Sequence, residues 1–131
     1  MTDRKTPMMQ GEMIPLQVAA STVIEAGKMA AADAAGYAVP AADAANLTVM
    51  GRAEEYKDNS SGSDGDETVL VRRKLAFLYG NSAANPVTGA HIGKNIYVED
   101  AETVSSSGGT NSVVAGKCLG FEDGGVWTEI S

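Results

Sequence analysis

Residues 67–79 alternate between apolar and other side chains, and this spacing constrains the fold more than any other feature of the sequence. The apolar positions share one face of a two-residue period, which Arg73 interrupts: Val69, Val71, Leu75, Phe77 and Tyr79. Successive side chains of a β-strand point to opposite sides, so this period is typical of a strand with one buried face. We therefore predict a β-strand over residues 67–79.

Shorter apolar runs recur along the chain. Strands are predicted over residues 14–18, 47–56, 96–98, 113–121 and 126–130. Turn-forming residues dominate the segments 58–66, 80–89 and 105–111 and predict loops. Gly124 and Gly125 predict a tight hairpin before the last strand. Many short strands without a convincing long helix indicate an all-β fold, a small β-barrel or sandwich of short antiparallel strands.

Residues 26–45 are rich in alanine, the strongest helix former, yet they lack the pattern of a helix. No large apolar residues recur at spacings of three and four. Three helix-breaking residues interrupt the segment: Gly27, Gly36 and Pro40. We predict short strands around Met29 and over residues 37–39, with a turn at residues 33–36 between them. A helix over part of residues 41–46 is the alternative.

A weak internal repeat is visible where a basic residue follows a glycine. Each half of the chain has two such pairs, 24 residues apart in the first half and 23 in the second: Gly27 with Lys28, Gly51 with Arg52, Gly93 with Lys94, and Gly116 with Lys117. A true repeat implies two related β-units packed in one barrel. Chance similarity in a chain rich in glycine and alanine would produce the same pattern, and the sequence leaves both explanations open.

The length of 131 residues fits one compact domain. We predict a flexible N-terminal arm over residues 1–12, which is polar and rich in methionine, and a single β domain over residues 13–131. The apolar residues include 20 alanines and only 30 valines, isoleucines, leucines and aromatic residues. Because a buried alanine removes little apolar surface from water, the core should be thin. We therefore expect a homo-oligomer, in which burial between subunits adds stability.

The formal charge of −7 disfavours binding along a phosphate backbone, so we expect no nucleic-acid partner. No apolar run approaches the roughly 20 residues that a helix needs to span a bilayer. Residues 1–10 contain no hydrophobic signal-peptide core. We expect no membrane partner, and a location in a cytoplasm or in something assembled there.

The side chains best suited to chemistry, His91 and Cys118, are not part of a recognisable site. No nucleophile motif accompanies His91, and the two residues together are too few ligands for zinc. Residues 58–67 contain several carboxylates, but Gly62 and Ser63 stand where a calcium loop needs an oxygen ligand and a glycine. We predict no catalytic residue, no metal and no cofactor, and so a protein that is not an enzyme.

Three consecutive basic residues stand out in this acidic chain: Arg72, Arg73 and Lys74. They are candidates for contact with an acidic protein surface. A solvated strand face is the alternative explanation, and the sequence does not decide between them.

Residues 92–130 carry a pattern that goes beyond composition. Gly93 and Lys94 precede an apolar strand that ends near Asp100, and a variable loop of serine, threonine and glycine follows. The pattern ends with two short motifs: Ala115, Gly116 and Lys117, then Gly125, Val126 and Trp127. The segment resembles the C-terminal part of head decoration (capsid cement) proteins of tailed phages and prophages. The alanine-rich N-terminal half is a looser match.

This resemblance implies a virion structural protein, a small β-barrel or sandwich that assembles as a homotrimer. It would bind the major capsid protein on the outer capsid surface, reinforce the shell after expansion, and reside in the host cytoplasm during assembly. Met8, Met9 and Met13 would supply adaptable apolar contacts to the shell or to a neighbouring subunit. Two other functions stay open: another virion component, such as a tail or fibre-associated β-protein, and a non-viral small β-barrel binding module.

Overall fold

The computed structural model describes residues 11–131, so Met8 and Met9 lie outside the described part of the chain. Regular structure in that part consists of twelve β-strands and a 3-10 turn at Gly89–His91. The strands are β1 (Met13–Gln17), β2 (Thr22–Ile24), β3 (Met29–Ala32), β4 (Ala38–Pro40), β5 (Thr48–Ala53), β6 (Lys57–Asn59), β7 (Thr68–Arg72), β8 (Leu75–Asn81), β9 (Asn95–Asp100), β10 (Thr103–Ser105), β11 (Val114–Glu122) and β12 (Gly125–Ile130). The all-β prediction is confirmed.

Ten of the strands form two five-stranded sheets, and β2 and β6 form a separate antiparallel pair. The first sheet has the order β1-β7-β5-β3-β4, and the second closes into a barrel with the order β10-β8-β12-β11-β9. The barrel closes through a parallel pairing of β10 with β8. An isolated parallel bridge between Val18 and Ala38 joins the edges of the first sheet in the same way.

The two sheets repeat one topology. In chain order, β1, β3, β4, β5 and β7 correspond to β8, β9, β10, β11 and β12, and both sets follow the same lateral order. We call residues 11–72 the first unit and residues 75–131 the second unit. The β2 and β6 strands are an addition to the first unit, because the second unit connects β11 to β12 directly through a tight turn.

The repeat extends to individual hydrogen bonds and to a shared irregularity. The Gly27 N–H donates to the Ala53 carbonyl at 2.8 Å, as the Gly93 N–H donates to the Cys118 carbonyl at 2.7 Å. The return strands bulge at the same position, with one unpaired residue before a glycine: Met50 before Gly51 in β5, and Ala115 before Gly116 in β11. The glycine–basic repeat is therefore real, although it builds two five-stranded units instead of one barrel.

Each unit has a buried core, and the two cores are in contact. The first core contains Ile14, Val18, Ile24, Ala30, Ala38, Ala53, Val69 and Val71. The second contains Phe77, Tyr79, Val87, Ile96, Val98, Val104, Val113, Ala115, Cys118, Val126 and Ile130. Met29, Ala31 and Ala41 of the first unit pack into this second core. The Tyr79 hydroxyl also donates to the Gly27 carbonyl at 3.2 Å, so polar contacts join the units as well.

The alanine-rich segment forms strands because it lies between the two cores. Ala30 packs into the first core and its neighbour Ala31 into the second, and both side chains are fully buried. Since β3 is covered on both faces at Ala30 and Ala31, only small side chains fit at these two positions. The strands predicted around Met29 and over residues 37–39 are confirmed as β3 and β4. The alternative helix over residues 41–46 is wrong, because these residues are not helical.

The single strand predicted over residues 67–79 is instead two strands in different units. β7 ends at Arg72 and β8 begins at Leu75, and Lys74 between them has a left-handed φ of 64°. The backbone N–H of Arg73 donates into the first unit at 2.7 Å and that of Lys74 into the second at 2.6 Å. Both strands alternate with respect to their own core, which made them look continuous. Leu75, predicted to be buried, is 46% exposed.

Four loop predictions need smaller corrections. The loop predicted over residues 80–89 begins with the last two residues of β8 and ends with the first residue of the 3-10 turn. The final hairpin turns at Asp123 and Gly124, with φ values of 50° and 79°, one residue earlier than predicted. Positive φ at both residues is the pattern of a type I′ turn, which matches the twist of the flanking strands. The loop predicted over residues 58–66 begins with two residues of β6, and the loop predicted over residues 105–111 begins with the last residue of β10.

Candidate interaction surface

The predicted contact residues Met13 and Arg72 lie opposite each other on the outer strands of the first unit. Met13 is the first residue of β1 and pairs in register with Arg72 at the end of β7. Both side chains are half-buried. The structure therefore brings together one methionine and one arginine of the predicted set, and whether they contact a partner stays a prediction.

Arg72 belongs to an ion-pair cluster within the chain. Its Nε lies 2.9 Å from the Glu54 carboxylate, and a guanidinium nitrogen of Arg52 lies 2.8 Å from the same oxygen. The hydrogen bond from Arg52, with the positive charge of both guanidinium groups, holds the pKa of Glu54 below its usual range. The Arg52 guanidinium also lies over the Phe77 ring, 4.6 Å from its centroid, and so bridges the two units.

Arg73 and Lys74 occupy the connection between the units. The Arg73 Nε is buried and has no hydrogen-bond partner among residues 11–131. Lys74 is exposed. The three consecutive basic residues therefore have different surroundings, and they do not form one continuous basic surface.

The second unit exposes apolar side chains on the outer face of its β8-β12-β11 sheet, a surface that the sequence did not predict. Leu78 of β8 lies directly opposite Trp127 of β12. Leu119 is the bulge residue of β11, one position before the residue that pairs with Trp127, and is 48% exposed. We call Leu78, Leu119 and Trp127 the apolar face of the second unit.

Two glycines shape this apolar face. A side chain at Gly125 would meet the Leu78 side chain at 3.0 Å, so glycine leaves room for Leu78 to lie against β12. Gly120 pairs with Trp127, and the space where a side chain would project from it is empty. The absence of a side chain at both glycines therefore keeps the apolar face accessible.

A groove of about 360 Å³ borders the apolar face where it meets the first unit. Its walls include Leu78 and Trp127 on one side and Arg52 on the other, with Gly27 and Tyr79 at the junction. A larger groove of about 390 Å³ lies between β5 and β11 and is lined without any ionisable side chain. The groove beside the apolar face therefore combines aromatic, aliphatic and cationic groups that suit contact with a protein segment.

The apolar face is bordered by acidic side chains. Glu129 follows Trp127 by two residues on β12, Glu122 ends β11, and Asp123 is the first residue of the final turn. Among the described residues, none of these three carboxylates lies within 4.0 Å of a basic side chain, and Lys117 is the residue that pairs with Glu129 across the strands. This border is therefore negatively charged.

The side chains considered for catalysis and for metal binding take part in local turns or in the core. The His91 Nδ1 accepts the Thr88 N–H at 2.9 Å and closes the 3-10 turn. Cys118 is fully buried in the second core. In the loop considered for calcium, the Asp58 carboxylate accepts the N–H of Ser60 at 2.9 Å, so it holds a local turn. In the described part of the chain, no three histidine, cysteine or carboxylate side chains are grouped to hold a metal ion.

No helix among residues 11–131 is long and apolar enough to cross a membrane. Comparison with known proteins found no family model, no curated protein and no solved structure that matches the chain. The resemblance in the sequence and the surfaces described above are therefore the observations that bear on function.

A signal for the apolar face was present in the sequence. Residues 75–79 are all apolar, so apolar side chains fall on both faces of β8. Phe77 and Tyr79 are buried in the core, which leaves Leu78 on the outer face, 39% exposed beside Trp127. An apolar residue on the outward face of a strand whose inward face is already apolar indicates a contact surface.

Proposed function

We propose that this protein is a virion structural protein that decorates and stabilises the outer surface of a phage capsid. Its partner is the major capsid protein, it acts as a homotrimer, and it carries out no catalysis and needs no cofactor. The observation that carries the proposal is the resemblance of residues 92–130 to capsid cement proteins. In the fold, this segment supplies β9 to β12, four of the five strands of the barrel, so it corresponds to most of one folded unit.

The architecture supports a binding role. The barrel is closed by hydrogen bonds around its whole circumference, and a closed barrel has no free strand edge that could promote uncontrolled association. Its outer face nevertheless presents Leu78, Leu119 and Trp127 to the surroundings. A closed barrel with an exposed apolar face is well suited to bind a protein lattice.

Sedimentation with matched capsids tests the proposal. Purified protein is mixed with expanded and with unexpanded capsids of the phage that encodes it, and bound protein is measured in the pellet. We expect saturable binding to expanded capsids and a higher temperature of capsid disruption when the protein is bound. An unrelated acidic β-protein of similar size serves as the control for trapping. Absence of binding to expanded capsids would refute the decoration function.

Light scattering coupled to size-exclusion chromatography tests the homotrimer separately. We expect the mass of three chains for protein released from capsids. A monomeric mass under the same conditions would contradict the trimer and leave the decoration function standing.

A further inference from the structure

The internal repeat makes it possible to compare the outer faces of the two units position by position. In the first unit, Leu70 and Pro15 pair across β7 and β1, as Trp127 and Leu78 pair across β12 and β8. Leu70 and Leu78 are equally exposed, at 39%. The two faces therefore have the same backbone framework, and their side chains decide what each face can bind.

The charged side chains at the centre of the first-unit face pair with one another. Arg52 and Arg72 pair across β5 and β7, and Glu54 lies within hydrogen-bond distance of both. Two residues along β7, the Leu70 N–H donates a hydrogen bond to the Glu55 carboxylate at 3.1 Å. Because these polar groups already have partners, a docking protein would gain little by contacting them.

The second-unit face differs at the corresponding positions. Lys117 and Glu129 stand where the first unit has Arg52 and Arg72, and among residues 11–131 neither forms an ion pair within 4.0 Å. The second unit has six carboxylates and two lysines in total. Its apolar centre is also larger, because tryptophan and leucine stand where the first unit has leucine and proline. The second face is thus an apolar centre whose border carries three carboxylates and one lysine, with no ion pair within 4.0 Å at that border among residues 11–131.

We propose that the apolar face of the second unit, Leu78, Leu119 and Trp127, is the surface that docks onto the capsid. The inference rests on the proposed function and names the side of the molecule that carries it. Charge complementarity defines the chemistry of the partner, an apolar patch of the shell bordered by lysine and arginine side chains. Tryptophan at the centre of such a face is the residue type that most often dominates protein binding energy.

The groove beside the apolar face adds a feature for specificity. It opens between Trp127 and Arg52, next to the pair formed by Leu78 and Trp127. An apolar side chain projecting from the shell would enter this groove and contact the indole. Both units line this groove, because Gly27 comes from the first unit and Trp127 from the second.

The matched variants Leu78→Glu and Leu70→Glu test this assignment. Each places a carboxylate at an equally exposed leucine on the outer face of one unit. We expect Leu78→Glu to weaken binding to expanded capsids by at least about thirtyfold, the loss typical of a central contact residue. Leu70→Glu should bind within about threefold of the wild type, since its face is not the docking surface. Thermal unfolding of both free variants verifies that they are folded.

A charge reversal provides an independent test. Glu129→Lys should weaken binding by roughly fivefold through the loss of border complementarity, and added salt should reduce the difference from the wild type. An affinity of Glu129→Lys equal to or above that of the wild type would contradict a basic border on the partner.

The outcomes separate this inference from the proposed function. If the wild type binds expanded capsids and Leu78→Glu binds equally well, the docking face is wrong and the decoration function stands. If the wild type binds no capsid form, both fail. If Leu78→Glu changes the mass of the free protein in solution, the apolar face joins copies of this chain, and the capsid assignment is overturned. Trp127 is the only tryptophan in the sequence, so its fluorescence across a dilution series of free protein reports such self-association.

Discussion

Alanine substitutions at three glycines provide the most direct test of the repeated strand geometry. A methyl group at Gly51 would collide with the Arg72 carbonyl of the adjacent strand, and one at Gly116 would collide with the Glu129 carbonyl. Gly51 also has a φ of 155°, a conformation that only glycine adopts readily. Gly120 has nearly the same φ, 156°, but open space where its side chain would be. The three positions therefore separate steric overlap from backbone strain.

The expected losses in the free energy of unfolding follow from these differences. Overlap with a neighbouring strand costs about 1–3 kcal/mol, and the backbone conformation costs about 1–3 kcal/mol when a side chain is added. Gly116→Ala carries the first cost, Gly120→Ala the second, and Gly51→Ala both, for a total of about 4 kcal/mol. With a change of roughly 4 °C per kcal/mol for a chain of this size, Gly51→Ala should lower Tm by about 15 °C.

Denaturant unfolding followed by far-UV circular dichroism measures these differences. Gly89→Ala is the control, because its methyl group would project into open space and its φ is not positive. We expect it to unfold within about 0.5 kcal/mol of the wild type. If Gly51→Ala is no less stable than Gly120→Ala, the close approach of β5 to β7 does not constrain the fold, and the steric argument fails.

Three further predictions concern the junction between the units and the buried polar groups. The Asp43 carboxylate accepts backbone N–H groups of residues 110 and 111 at 3.0 and 2.8 Å, and these bonds lower its pKa. Because the pKa is depressed, the ionised Asp43 carboxylate stabilises the folded state above the pKa of the unfolded carboxyl, and this stabilisation is lost as the pH falls through the folded pKa. The Tm difference between wild type and Asp43→Asn should therefore be largest near neutral pH and shrink in acid. A constant difference across this pH range would contradict the role of the charge. Asn59→Ala should cost about 1–3 kcal/mol in urea unfolding, because the buried Asn59 amide donates to three carbonyl groups at 2.9–3.2 Å. The carbonyls of Val18 and Ser63 keep a backbone donor, whereas that of Ala19 would be left without a donor among residues 11–131. A loss below about 0.5 kcal/mol would show that water replaces the amide. Ala31→Leu should lower stability by about 1–3 kcal/mol by overpacking β3 between the two cores, and a normal Tm would show that the cores can separate.

The strands that alternate against a single core were predictable from the sequence. The return strand β11 and the final strand β12 lie close to the bounds set by their apolar runs, since each has one buried and one outward face. The alanine-rich segment was also predictable as strands, because glycine and proline interrupt any helix there. The reason for its alanine-rich composition was not predictable, because nothing in the local periodicity shows that Ala30 and Ala31 face two different cores.

The connection between the units shows where local reasoning fails. Alternation through residues 67–79 is continuous in sequence because β7 and β8 each place odd-numbered residues toward a core. A left-handed residue at Lys74 is enough to direct the chain from one sheet to the other, and lysine has no strong preference that would reveal this turn. The glycine–basic repeat contained the missing information, since it implied two units and therefore a boundary between them.

The candidate surface was harder to predict for a related reason. The repeat preserves what the backbone requires, the glycines at positions 51 and 116 and the bulges beside them. It does not preserve the outer side chains, and Leu70 with Pro15 has become Trp127 with Leu78. Both units need the same close strand approach and the same bulges, so folding places the same demands on these positions in each unit. Differences on their outer faces are free of that requirement, and the face that carries tryptophan, with no ion pair seen on it among residues 11–131, is where a binding function should be sought.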